Sequence, residues 1–203
     1  MPIRFASLHR VAIVIAIVIA IESIDVAATE EPRFELIDQW PDKNIELREY
    51  EARILAVTRM DTAENGGFST LAGYIFGGNT AEQKIAMTAP VQTSMAGSDV
   101  QEMAFVMPSQ FAEGDLPEPN DPAIDLRPMS GYAAAVIVFS GRASASTAET
   151  YWKLLREFLE ESNLEATGPP TLNQYNPPWT LPFLRRNEII VPVNRASLPE
   201  SKI

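Results

Sequence analysis

Alternating apolar and polar residues predict that most of the chain after residue 33 forms short β-strands. In 45–50, Ile45 and Leu47 alternate with Glu46 and Arg48, which is the spacing of a strand with one buried face. Other segments are short runs rich in β-branched residues, which also favour strands. The predicted strands are 33–37, 45–50, 53–58, 85–91, 102–107, 124–129, 133–139 and 188–193.

Two segments have helical periodicity instead. Within 68–76, Phe68, Leu71, Ala72 and Ile75 form one apolar stripe, and Gly77 ends the predicted helix. The second helix is predicted to start at a capping box, Ser146-x-x-Glu149. Its predicted buried stripe consists of Tyr151, Leu154, Leu155, Phe158 and Leu159.

A short internal repeat indicates how these elements are organised. Ile45-Glu46-Leu47-Arg48 and Ile124-Asp125-Leu126-Arg127 match at an offset of 79 residues, and each precedes a second strand and then a helix. The fold class is therefore predicted to be α+β. We expect a distorted β-barrel of two pseudo-twofold-related β-β-α-β halves, flanked by two helices.

The first 28 residues are typical of a secretory signal peptide. Arg4 and Arg10 precede an eleven-residue apolar run, 11–21, and Val26-Ala27-Ala28 supplies small residues before a cleavage site. We expect cleavage near Ala28 and a single exported domain over 29–203, with its core over about 33–193. A periplasmic or secreted location is expected, without stable membrane insertion after cleavage, because eleven apolar residues are too few to span a bilayer.

Charge and composition exclude several function classes. The formal net charge is −11, which disfavours nucleic acid as a partner. The chain has no Cys, and its one His is His9, inside the predicted leader. Nucleophilic Ser-His and Cys-His pairs, the usual zinc sites and His-ligated haem are therefore not expected in the exported protein. Neither a catalytic nor a metal site is predicted.

Three motifs, in this order, resemble the SOUL haem-binding family. They are Gly73-Tyr74-Ile75-Phe76-Gly77-Gly78-Asn79, Lys84-Ile85-Ala86-Met87-Thr88-Ala89-Pro90-Val91, and Tyr175-Asn176-Pro177-Pro178-Trp179 leading to Arg185-Arg186-Asn187-Glu188. The resemblance implies a distorted β-barrel with an apolar surface cleft for haem or another porphyrin. It places a bound ring between the first helix, here 66–76, and the loop before the last strand, here 175–186. Some members are thought to use an axial His, which this chain lacks after export.

Seven residues are predicted to contact a non-covalently bound tetrapyrrole. Stacking and charge pairing with propionates motivate the choices in the loop, and an exposed patch on the first helix is expected to form the floor. The residues are Leu71, Tyr74, Tyr175, Trp179, Phe183, Arg185 and Arg186. The alternative is that loop aromatics fold back on the barrel and that the arginines pair with nearby carboxylates. Met87 is expected to fill the core rather than ligate iron.

Three functions compete at this point. The leading one is a non-catalytic tetrapyrrole carrier or buffer. The second is an interaction or sensor module that uses the same cleft for a different ligand or a peptide. The third is a hydrolase with paired carboxylates, for which Glu46, Glu49 and Asp125 are the strand-borne candidates, although alternate strand positions usually form a solvated face.

Overall fold

The computed structural model of the protein describes residues 29–60, 66–95 and 100–198. The predicted leader, 1–28, lies outside them. Within the described ranges the chain forms nine strands and two α-helices. The strands are β1 Phe34–Trp40, β2 Ile45–Tyr50, β3 Arg53–Arg59, β4 Val91–Ser94, β5 Glu102–Val106, β6 Ile124–Met129, β7 Tyr132–Phe139, β8 Thr171–Gln174 and β9 Asn187–Pro192. The helices are α1 Gly66–Ile75 and α2 Ala145–Glu161.

All nine strands belong to one antiparallel sheet. Their order is β1-β2-β7-β9-β8-β4-β5-β3-β6, so β1 and β6 are the edge strands. The α+β class and the two helices are confirmed, whereas the sheet is an open half-barrel rather than a closed barrel. The repeated segments are β2 and β6: Leu47 faces Ala135 on β7, and Leu126 faces Ala56 on β3.

The chain crosses the sheet between β2 and β3. These strands are joined by residues 51–52, yet β2 pairs with β1 and β7, while β3 pairs with β5 and β6. Each part of the sheet carries one helix, since α1 packs on β3 and β5 and α2 packs on β7 and β9. Two large apolar clusters, one beneath each helix, form the core.

Helix α2 buries three of the five residues of its predicted apolar stripe, and it starts earlier than the capping box predicts. Leu155, Phe158 and Leu159 are buried and Tyr151 is half-buried, whereas Leu154 is exposed, so its predicted burial is wrong. The N-cap is Ser144, whose Oγ accepts a hydrogen bond from the Thr147 amide at 3.2 Å. The capping-box assignment to Ser146 is therefore wrong, because another serine two residues earlier caps the helix.

Residues 85–90 do not form the predicted strand, and β4 starts only at Val91. The segment is held by individual hydrogen bonds: the Ile85 amide donates to the Ile75 carbonyl, and the Ala89 amide donates to the Glu30 carbonyl, both at 2.8 Å. Pro90 has no amide hydrogen to continue a ladder. Met87 is exposed, so the expectation that it fills the core is wrong.

Candidate ligand-binding site

The loop that joins β8 to β9, residues 175–186 and hereafter the late loop, exposes a group of large apolar side chains. The exposed fractions are 83% for Trp179, 56% for Leu181, 70% for Phe183 and 62% for Leu184. Isolated exposed apolar residues are common, but four on one short loop form a patch of the kind found at ligand or protein contacts.

Hydrogen bonds within the late loop, and one from the end of β7, hold its backbone in place. Arg185 donates from Nε to the Thr180 carbonyl at 2.8 Å and from Nη2 to the Pro178 carbonyl. The Gly141 amide, after β7, donates to the Pro182 carbonyl at 2.9 Å. The apolar side chains are thus presented by a fixed backbone, which lowers the entropic cost of binding a rigid ligand.

A cavity of about 400 Å³, hereafter the loop cavity, lies between the late loop, the end of β7 and α2. Phe183 and Leu184 line one side, and Phe139 and Tyr151 line another. The rings of Phe139 and Tyr151 stack with centroids 4.1 Å apart. Arg185 and Arg186 also line the cavity. Asn44 and Ser140 line it too, so polar and charged groups share the cavity walls with the aromatic side chains.

Beneath the late loop, Tyr175 and Arg186 belong to a buried polar network. The Tyr175 hydroxyl donates to Glu188 Oε2 at 2.7 Å, and burial raises the Tyr175 pKa. Glu188 accepts two hydrogen bonds from Arg48, at 3.1 and 3.2 Å. The Arg186 guanidinium lies 3.5 Å from the centroid of the Tyr175 ring and also pairs with Glu31. Tyr175 and Arg186 therefore have structural partners within the chain, as the alternative interpretation expected.

The expected exposed patch of Leu71 and Tyr74 on the first helix is wrong. Both side chains are buried in the cluster beneath α1. The Tyr74 hydroxyl donates to the Pro117 carbonyl at 2.9 Å, and burial raises the pKa of Tyr74 to about 12. Tyr74 lies off the predicted stripe, but loop 116–119 covers this side of the helix and buries it. The exposed aromatic residues at α1 are instead Phe68 and Phe76.

The structure brings five of the seven predicted residues together. The late loop carries Tyr175, Trp179, Phe183, Arg185 and Arg186, and the last three line the loop cavity. The seven predicted contacts did not include Leu181, Leu184, Phe139 or Tyr151. Leu181 and Leu184 could have been found as apolar residues in a proline-rich loop. Phe139 and Tyr151 could not, because they reach the cavity only through the packing of α2 on β7.

The late loop combines aromatic faces with cationic side chains. Trp179 and Phe183 offer the aromatic faces, and Phe139 and Tyr151 add two more in the loop cavity. Arg185 and Arg186 can approach carboxylates, although both already hold partners. Among the residues that the structure describes, no group of three His, Cys, Asp or Glu side chains could hold a metal ion. In the same ranges, no helix is both long and apolar enough to cross a membrane.

Known structures with a similar fold share little sequence with this chain. The C-terminal domain of EcmrR superposes with a TM-score of 0.57 at 12% identity, covering 74% of this chain and 96% of that domain. A hydrolase from Listeria innocua gives a TM-score of 0.56 at 11% identity, covering 75% of this chain and 92% of the other. At such identities the likeness concerns the fold alone.

Sequence comparison identifies the family. No curated protein sequence is similar enough to match. Residues 29–192, however, match the family described as SOUL heme-binding protein, which covers all of β1 to β9 and both helices. The motifs 73–79, 84–91 and 175–188 all fall within this match. The chain belongs to the SOUL heme-binding protein family.

Proposed function

We propose that this protein is an exported, non-catalytic tetrapyrrole-binding protein that acts as a carrier or buffer. The observation that carries the proposal is the exposed apolar face of the late loop, Trp179 and Phe183 above all, beside the loop cavity. A porphyrin ring stacks on these side chains and inserts one edge toward Phe139 and Tyr151. Family membership supports the ligand class.

The binding free energy of such a site is modest. Burying about 400 Å² of apolar surface at ~25 cal/mol/Å² contributes roughly 10 kcal/mol, against an association cost of about 4–15 kcal/mol. Because His9 lies in the leader, no imidazole contributes an iron bond after export. We therefore propose micromolar affinity and recognition of the ring rather than the iron, as suits a buffer that releases its ligand.

The carboxylates considered for hydrolysis have other partners, which supports the non-catalytic proposal. Glu46 accepts a hydrogen bond from Arg48 Nε at 2.6 Å, Glu49 pairs with Arg195, and Asp125 accepts from Arg127. Glu46 and Glu49 lie on β2, whereas Asp125 lies on β6, which is separated from β2 by six strands of the sheet. Export rests on the leader sequence, 1–28.

The partners of Arg185 and Arg186 support a second function, an interaction module. Arg185 holds the loop backbone and Arg186 pairs with Glu31, so neither is fully available to a propionate. An interaction module that docks an apolar peptide on Trp179, Leu181 and Phe183 uses the same exposed face without needing a cation. Haem spectroscopy separates the two functions, because a peptide site leaves the Soret band of haem unchanged.

The two parts of the sheet are proposed to be related by an approximate twofold axis. The order β2-β7-β9-β8-β4-β5-β3-β6 reads the same from either end when β2–β5 are exchanged with β6–β9. The pairs Leu47–Ala135 and Leu126–Ala56 are likewise related by the offset of the sequence repeat. Superposing β2–β5 on β6–β9 in an experimental structure tests this, and a rotation far from a half turn would contradict it.

The tetrapyrrole proposal is tested by titrating the purified protein with haemin while recording the Soret band. Trp179→Ala should weaken binding by roughly 1–3 kcal/mol, which is the usual effect of truncating an aromatic anchor. Phe34→Ala is the matched control, since Phe34 is also an exposed aromatic residue but lies on β1, outside both 66–76 and 175–186. Unchanged binding in Trp179→Ala would remove Trp179 from the site. No spectral change with the unaltered protein would favour the peptide-binding function.

A further inference from the structure

A second cavity, of about 310 Å³, lies where the chain crosses from β2 to β3. Four apolar side chains line it: Ile54, Val106, Met107 and Phe111. Residues 30–33, hereafter the N-terminal strap, line it as well. It shares no lining residue with the loop cavity, so a ligand here would be independent of the late loop.

Arg53, which also lines this second cavity, is a half-buried cation that has no anionic partner among residues 29–60, 66–95 and 100–198. Its guanidinium carbon lies 4.9 Å from the centroids of both the Tyr50 and the Tyr132 rings, and its Nη2 donates to the Tyr132 hydroxyl. Nε and Nη1 are buried and have no hydrogen-bond partner. No carboxylate in the described ranges forms a salt bridge with it, although a buried guanidinium normally needs one. We call this space the Arg53 cavity.

The nearest carboxylates of the N-terminal strap are already engaged. Glu30 accepts a hydrogen bond from the Ser109 amide through Oε1 at 2.7 Å, and Glu31 pairs with Arg186. Glu51 and Arg33 are exposed. Water screens the opposite charges of Glu51 and Arg33, so the half-buried guanidinium of Arg53 is the lining charge that is least screened, and it lies beside apolar surface.

We propose that the Arg53 cavity binds a small carboxylic acid with an apolar body. The carboxylate accepts a charge-assisted hydrogen bond from the guanidinium of Arg53, and the apolar body packs against Ile54, Val106, Met107 and Phe111. A ligand without an acceptor leaves the buried donors Nε and Nη1 of Arg53 unsatisfied. The volume is near the lower end of the range for small-molecule sites, which indicates a ligand of modest size.

Binding requires a small movement. Neither Nε nor Nη1 has appreciable solvent-exposed surface, so the guanidinium must turn toward the cavity to meet a carboxylate. The contacts with the two tyrosine rings are non-covalent and leave the side chain free to turn once an acceptor is present.

A pair of ligands that differ only in charge tests this site. Octanoate and its neutral amide, octanamide, are titrated into the purified protein by calorimetry. A charge-assisted hydrogen bond contributes about 1.5–3 kcal/mol, so octanoate should bind about 10- to 100-fold more tightly. Equal affinities for the two ligands, or no heat from octanoate at millimolar concentration, would overturn the proposal.

Four variants test whether octanoate binds at Arg53. Arg53→Gln should abolish the preference for octanoate, whereas Arg33→Gln, at an exposed arginine of the strap, should keep it. Trp179→Ala should leave octanoate affinity unchanged, and a loss there would assign binding to the late loop instead. If Arg53→Gln does not fold, as judged by circular dichroism, Arg53→Lys keeps the charge and should retain the preference for octanoate over octanamide. Loss of that preference in a folded Arg53→Lys protein would contradict the proposal.

Discussion

Two ion-pair triads of the same design, one buried and one exposed, allow the cost of burying charge to be measured within one protein. In the first, Arg48 donates to both oxygens of Glu188 at 3.1 and 3.2 Å and to Glu46 at 2.6 Å. In the second, Arg127 donates to both oxygens of Glu102 at 3.1 and 3.2 Å and also to Asp125. The exposed side-chain fraction is 6% for Arg48 and 45% for Arg127.

Replacing each arginine by methionine should therefore give very different losses of stability. Arg48→Met leaves Glu188 buried with only the Tyr175 hydroxyl and Arg186 Nε, 3.8 Å from Oε1, as partners, and breaking a buried pair costs about 3–5 kcal/mol. Arg127→Met leaves a partly exposed Glu102, and an exposed pair is worth about 0–1 kcal/mol. Each arginine makes two hydrogen bonds of matching length to one glutamate, but Arg48 also donates to the Tyr50 hydroxyl at 2.9 Å, so the difference combines burial with this additional contact.

Urea unfolding followed by circular dichroism measures both changes. The double variant Arg48→Met with Glu188→Leu should recover much of the loss, because apolar residues of similar size often replace a buried ion pair without net cost. Equal free energies of unfolding for Arg48→Met and Arg127→Met would refute the reasoning. So would a double variant that is less stable than Arg48→Met alone.

Further predictions concern glycines and tyrosines. Gly73→Ala, where an added Cβ meets nothing within 4 Å, should raise the melting temperature, since Ala is favoured over Gly in a helix by roughly 0.5–1 kcal/mol. Gly78→Ala should lower the melting temperature, because its Cβ would lie 2.7 Å from the Gly73 carbonyl oxygen. Burial raises the pKa values of Tyr50, Tyr74 and Tyr175 above the ordinary 10.0, so their stabilising contribution is complete below pH 10.0 and is lost as the pH rises further. Absorbance at the tyrosinate band, recorded with circular dichroism, should show these groups ionising only as the protein unfolds.

Much of the sheet could be predicted from the sequence, because local alternation reports which strand face is buried. The repeat at Ile45 and Ile124 falls on two strands of the sheet, β2 and β6. The strand predicted over 85–90 does not form, because individual hydrogen bonds to other elements hold this segment in place of a ladder. A hydrophobic pattern cannot distinguish these two forms of an extended chain.

The candidate site was predictable only in part, for a physical reason. Trp179 and Phe183 stand on a loop whose prolines exclude it from the sheet, so sequence alone indicates their exposure. The burial of Tyr74 depends on the distant loop 116–119, whose Pro117 carbonyl accepts its hydroxyl hydrogen bond. The unpartnered state of Arg53 likewise depends on what the fold places around it, which no local pattern reports.

We propose above that the late loop binds a porphyrin ring without a strong iron ligand. The most direct test compares the dissociation constants of haemin and a metal-free porphyrin for the purified protein without residues 1–28. We predict values within about tenfold of each other, a difference near 1.4 kcal/mol. Haemin binding a hundredfold more tightly, with a low-spin spectrum, would contradict the claim by revealing an axial ligand.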